Sequence, residues 1–242
     1  MRLWRLKHVR KPNRFQVRRI ERDTVRTSYI KSKPIYEDRA RLLQQIPGFW
    51  SRVLQSEDVP AAIESSIHAC DLPALDAITA IEVTRFEVDQ DPEEGDPRSC
   101  KLIFEFGPNG ALEDKVLEKT FRHIRTDEGR TGLVSEPVKI TYSKTPLGDE
   151  VAESVARQES FFAFFGYRGS PEKADEDGLE TGKGNSKSDT LESGDLKALV
   201  QRIVAPDDDE DEAFTQDAFQ EIAIALSEDI YPGALKYFGI LP

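Results

Sequence analysis

The chain has 242 residues, 38% hydrophobic and 32% charged, enough to bury one sizeable core or one core plus an extended element. No apolar run approaches the roughly 18 residues that a membrane-spanning helix needs, and the basic start lacks the apolar stretch of a secretory signal. The net charge of −12 divides unevenly: residues 1–50 hold 14 Lys+Arg against 4 Asp+Glu, and the remainder 19 against 41. An acidic body repels nucleic acid and membrane surfaces and attracts basic proteins, although solubility alone also explains such a charge.

Residues 1–14, with Trp4 and Pro12, read as a basic, poorly ordered arm, or else as a nucleic-acid or nuclear-localisation patch. A helix is expected over 15–46. Val25, Tyr29, Ser32, Tyr36, Ala40 and Leu43 stay in line along it, and Ile35, Arg39, Leu42 and Ile46 form a second stripe. Pro34 should kink it, and Pro47-Gly48 should stop it before the large apolar pair Phe49-Trp50. So charged a helix is not stable alone in water and needs either the body or a second copy of itself.

Short helices are expected from Ile46 to Asp76. Four strands follow, Thr79–Val88, Ser99–Phe106, Val116–Arg125 and Glu136–Tyr142, each alternating apolar and polar residues. Cys100, Leu102, Phe104 and Phe106 share one face, as do Leu117, Lys119, Phe121 and His123. This is the pattern of an α+β body with a four-stranded antiparallel sheet packed against helices on one side and solvated on the other. A helix around Val151–Phe165 should bring Phe161, Phe162, Phe164 and Phe165 onto the sheet.

Residues 170–212 hold 14 Asp+Glu against 5 Lys+Arg and read as an acidic disordered insertion. Within it Leu196, Leu199, Val200, Ile203 and Val204 form one amphipathic face, followed by Asp207, Asp208, Asp209, Glu210, Asp211 and Glu212. Thr215 suits the cap of a last helix, whose buried stripe is Phe219, Ile222, Ala223, Leu226 and Ile230 and which Pro232-Gly233 ends.

Residue chemistry offers no catalytic constellation. His8, His68 and His123 sit on unrelated elements, and there is no phosphate-binding loop, nucleophile elbow or Cys-x-x-Cys pair. Cys70 and Cys100 lie far apart and read as reduced thiols. A non-catalytic protein without metal or cofactor is expected.

Four stretches, in order, resemble the nucleosome-assembly-protein family of histone chaperones, and its SET-like, fungal branch in particular. They are Lys33-Pro-Ile-Tyr-Glu-Asp-Arg39 with Ile46-Pro-Gly-Phe-Trp50, Val134-Ser-Glu-Pro-Val-Lys-Ile140, Glu159-Ser-Phe-Phe-Ala-Phe-Phe165, and Ser227-Glu-Asp-Ile-Tyr-Pro232. The resemblance implies a long dimerisation helix over 15–46 and an earmuff-type domain over 47–242. It implies an antiparallel homodimer, for which Val25, Tyr29, Tyr36, Ala40 and Leu43 are the candidate seam. It also implies nuclear localisation, with shuttling to the cytoplasm, and binding of either or both core-histone pairs. Glu228 and Asp229 would face the histone, with Asp207–Glu212 adding a mobile polyanion. Fungal relatives partner a histone acetyltransferase; neither membrane binding nor sequence-specific nucleic-acid binding is implied. The other reading is an adaptor or inhibitor of a nuclear enzyme that binds through helical segments.

Overall fold

The computed structural model describes residues 14–125, 131–168 and 216–240. Helix α1 (Arg14–Leu43) runs for 30 residues with Pro34 inside it and no break. It ends where the Ile46 amide returns to the Leu43 carbonyl at 2.9 Å and Gly48 takes a φ of +68°. That left-handed turn is one that a side chain resists. Helix α2 (Phe49–Leu54) then sinks both aromatics into the core. Phe49 stacks on Phe238 at 4.6 Å between centroids, and Trp50 lies parallel to Tyr231 at 6.1 Å.

Helix α3 (Ala61–Glu64), a 3-10 turn (Ala69–Asp71) and α4 (Leu72–Leu75) lead into the sheet. Its strands are β1 (Ile78–Thr84), β2 (Cys100–Phe106), β3 (Val116–Arg125) and β4 (Thr131–Ser135). They pair antiparallel in chain order. The inward residues Ile81, Val83, Cys100, Leu102, Phe104, Phe106, Leu117 and Phe121 are all buried, as alternation requires. Against this face lies the phenylalanine cluster, with Phe104 edge-on to Phe165 at 5.4 Å and Phe121 beside Phe164 at 5.4 Å. The last helix, α8 (Gln216–Ile224), continues through a wider π turn (Ala225–Ile230) into α9 (Ala234–Tyr237). Its expected stripe of Phe219, Ile222, Ala223, Leu226 and Ile230 is buried.

Three expected elements are displaced. The first strand stops at Thr84, and Phe86–Gln90 forms α5 instead. In that helix Asp89 accepts from Tyr29 at 2.9 Å and from Lys33 at 2.6 Å, tying it to α1. The fourth strand is Thr131–Ser135 rather than Glu136–Tyr142. The latter segment is extended and one-sided, but its backbone bonds go singly to other partners: the Val138 amide to the Phe165 carbonyl and the Glu113 amide to the Thr141 carbonyl. The expected Val151–Phe165 helix is split into α6 (Pro146–Ala156), capped by the Thr145 hydroxyl, and α7 (Ala163–Gly166). Between them Gln158 takes a φ of 60°, and the fully buried Asp71 carboxylate accepts the Ser160 hydroxyl at 2.5 Å and the Phe161 amide at 3.0 Å. Burial pushes the Asp71 carboxyl up, and those hydrogen bonds oppose the shift.

A buried lysine and a half-buried arginine join elements that have no ladder between them. Lys119, on the core face of β3 and 0% exposed, donates to the carbonyls of Glu136 at 2.9 Å, Phe165 at 2.8 Å and Tyr167. Burial pushes its pKa down to about 8, against the pull of the Glu136 charge. Arg39 of α1 donates to the carbonyls of Tyr231 at 2.6 Å and Pro232 at 3.0 Å, just beyond the π turn. Its guanidinium lies 4.5 Å from the Tyr36 ring centroid and 4.8 Å from that of Tyr231.

Lys119→Met should lower unfolding stability by about 2–3 kcal/mol, because three buried carbonyls lose their donor. A denaturation midpoint that does not fall would show that removing the buried charge outweighs those bonds. Arg39→Lys keeps the charge but cannot make the two-pronged contact, and should cost about 1–2 kcal/mol. Amide exchange should speed up in the C-terminal half of α1 and leave the β2–β3 ladder unaffected.

Candidate functional site

Helix α1 lies over the body with its C-terminal half facing two clefts that meet at Tyr231. One cleft, of about 350 Å³, opens between α1 and the outer face of the sheet. Glu37 and Gln44 of α1, Glu82 of β1, Ile103 and Glu105 of β2, and Tyr231 line it. In the strand register Glu82 pairs with Ile103 and Ala80 with Glu105, which makes Glu82 and Glu105 diagonal neighbours on one face. Among the described residues, no cation forms an ion pair with Glu37, Glu82 or Glu105. Arg41 also lines the cleft, but its guanidinium is bound to Asp38.

The second cleft, also about 350 Å³, lies between α1 and the π turn, where Ser28, Tyr29, Ser32 and Tyr36 face Arg85, Ser227 and Glu228. Glu228 also borders a shallow groove with Pro60, Glu221, Ile224 and Asp229. Glu221 and Glu228 line this groove together, and the exposed Ile224 sits between them. The Glu228 carboxylate is 3.6 Å from the largely buried Arg85 guanidinium, so part of its charge is answered within the fold. Asp229 accepts from the Tyr237 hydroxyl; the Tyr237 pKa rises to about 12, mainly through burial and then through this bond. Both carboxylates are held at the π turn, a widened geometry that recurs at functional positions.

Glu228 and Asp229 are exposed on one edge. Asp207, Asp208, Asp209, Glu210, Asp211 and Glu212 lie outside the described residues, as do Thr215 and the Leu196–Val204 stripe. The candidate seam residues of α1 face the body. Leu43 is in the core, Tyr36 is edge-on to Tyr231 at 5.5 Å, Tyr29 is bonded to Asp89, and Ala40 and Val25 border grooves against the sheet side. The body takes the first stripe of α1 together with Arg39 and Ile46 of the second, and the outward face retains Val17, Ile20, Ile35 and Leu42, all exposed. The reading of the sequence missed Glu37, Glu82, Glu105 and Glu221. Glu82 and Glu105 were legible as outward positions of alternating strands, and Glu221 as the residue seven positions before Glu228.

Among the described residues, no group of three or more His, Cys, Asp or Glu is placed to hold a metal ion, and no helix is long and apolar enough to cross a membrane. Cys70 and Cys100 are both free, and burial pushes the Cys100 thiol up.

The nucleosome assembly protein (NAP) family model matches residues 18–145. NAP1-related protein 1 of Arabidopsis thaliana is 31% identical over 144 residues, covering 55% of this chain and 50% of that protein. Vacuolar protein sorting-associated protein 75 of Saccharomyces cerevisiae is 29% identical over 133 residues, covering 54% and 48%. The chain thus spans about half the length of these curated relatives. Among solved structures, Ccp1 superposes with a TM-score of 0.59 at 24% identity, covering 93% of this chain and 89% of that one. The Vps75 histone chaperone superposes with a TM-score of 0.57 at 22% identity, covering 93% and 90%. These likenesses show the shared earmuff-type fold.

Proposed function

Because this chain belongs to the nucleosome assembly protein family, we propose that it is a non-catalytic histone chaperone that acts in the nucleus. The observation that carries this reading is the cleft lined by three carboxylates, Glu37, Glu82 and Glu105, none of which has an ion-pair partner among the described residues. Basic proteins supply those cations. Core histones are rich in Lys and Arg, and free in solution they bind DNA phosphates without regard to sequence. An acidic surface that competes for the same side chains lowers the free histone concentration, so deposition proceeds through productive contacts. No bond is made or broken. The cleft on the sheet meets the second cleft at Tyr231, and the second cleft continues through Glu228 to the Glu221–Asp229 groove, which suits one extended cationic partner. Asp207–Glu212 would add charge to the same contact.

We further propose that two copies pair antiparallel through α1. The support is its outward stripe, in which Ile35 and Leu42 are seven residues apart and each 65% exposed. An antiparallel pair sets the Val17–Ile20 end of one helix against the Ile35–Leu42 end of the other.

The full chain should capture core-histone pairs at physiological salt, where the Debye length is about 8 Å, and release them toward 1 M, where it is about 3 Å. Glu82→Lys/Glu105→Lys should weaken capture about tenfold or more, and Glu228→Lys/Asp229→Lys by less, since Arg85 already screens Glu228. Wild type that retains neither histone pair at physiological salt would overturn the chaperone reading. Ile35→Asp/Leu42→Asp should halve the mass measured by light scattering without changing the circular dichroism. A mass that stays dimeric would place the seam elsewhere.

A further inference from the structure

The body from residue 51 onward has a net charge of −22, yet one groove of the molecule is cationic. It lies at the other end of α1, where Arg18, Arg19 and Arg22 face Arg98, in the turn before β2, and His123 and Arg125 of β3 across about 500 Å³. Most described arginines elsewhere have an anionic or carbonyl partner: Arg26 with Asp23, Arg39 with two carbonyls, Arg41 with Asp38, Arg85 with Glu228, Arg122 with Glu87. In the groove, Arg18, Arg22 and Arg125 have no carboxylate partner among the described residues. The Nε–H of Arg22 is buried and makes no hydrogen bond. Among the described residues, few carboxylates lie near the groove. Arg98 is bound to Asp96 at 2.6 Å, which also lies 3.6 Å from His123, Arg19 reaches Asp23 at 3.7 Å, and Glu21 is on the rim.

Nothing in the packing requires this concentration of cations. Arg18 and Arg22 are one turn apart on α1, about 6 Å along the axis, and Arg98 and Arg125 oppose them across the groove. Charges spread in this way match a repeating polyanion better than a single small anion, and guanidinium groups pair with phosphate oxygens through two parallel bonds. The chain that runs into α1 is basic as well, with Arg2, Arg5, Lys7, Arg10 and Lys11. We propose that this groove binds the phosphate backbone of duplex nucleic acid without reading its sequence, at a surface separate from the sheet-side acidic cleft.

The test is fluorescence anisotropy of the full chain with two labelled 20-bp duplexes of unrelated sequence, across a salt series. Both duplexes should bind equally, with log affinity falling linearly against log salt. Arg18→Gln/Arg22→Gln/Arg125→Gln should weaken both at least tenfold and flatten the slope by about 0.9 for each phosphate contact removed. Glu21→Gln should tighten binding, a gain that misfolding cannot produce. Unchanged binding by the triple variant would place any duplex contact outside the groove and overturn the proposal. So would polyglutamate that binds the wild type and is not displaced by duplex, because the groove would then belong to an acidic protein. Histone capture by the triple variant should match wild type, which keeps this test distinct from that of the chaperone reading.

Discussion

The position of α1 over the body depends on Arg39. Its guanidinium is half-buried, and that desolvation lowers its pKa. Two carbonyls beyond the π turn and the faces of Tyr36 and Tyr231 replace the lost hydration. The replacement is incomplete, since its Nε has no acceptor. The carbonyls it meets lie just past a helical segment, where unsatisfied acceptors and the negative end of the helix dipole both favour a cation. One side chain therefore ties residues near position 39 to residues near 231, across nearly the whole sequence. Both clefts that share Tyr231 inherit their shape from this contact.

Lys119 and Asp71 do the same kind of work inside the body. Each holds irregular chain against regular structure where no ladder reaches. Lys119 gathers the carbonyls of Glu136, Phe165 and Tyr167, and Asp71 gathers the His68 and Phe161 amides with the Ser160 hydroxyl. A buried charge serves this role only when nearly every lone pair or proton finds a partner, because desolvation is otherwise uncompensated. These residues explain how Glu136–Tyr142 and Glu159–Tyr167 pack tightly while making few regular backbone bonds.

Much of the fold was legible because burial imposes period on sequence. The alternation of Cys100–Phe106 and Leu117–Phe121, and the stripe from Phe219 to Ile230, correspond to buried faces. What misled was the assumption that alternation means pairing. Glu136–Tyr142 alternates because Val138, Ile140 and Tyr142 pack one-sidedly on the core, while the real edge strand, Thr131–Ser135, is short and contains Gly132. One-sided burial of extended chain leaves the same signature as a strand. Lys119 sat on the apolar face of its strand in plain sight, but sequence does not say which carbonyls will converge on it. The stripes of α1 were likewise visible, yet which of them the body claims depends on contacts some 190 residues away. The uncompensated acidic positions are harder still. A carboxylate is free only if no cation folds beside it, a property of tertiary structure rather than of composition.

The two opposite electrostatic surfaces also share one element. Arg22 and Glu37 are fifteen residues apart on α1, which at 1.5 Å per residue is about 22 Å. That is nearly three Debye lengths at physiological salt, where each is about 8 Å. The fields of the cationic groove and of the sheet-side acidic cleft are therefore screened from one another, and neither cancels the other's attraction for oppositely charged groups. On a compact globular body with the same charges, mixing of the two patches over short distances would weaken both. A rigid helix that crosses the body keeps them apart, which is a physical reason for the helix to run unbroken through Pro34.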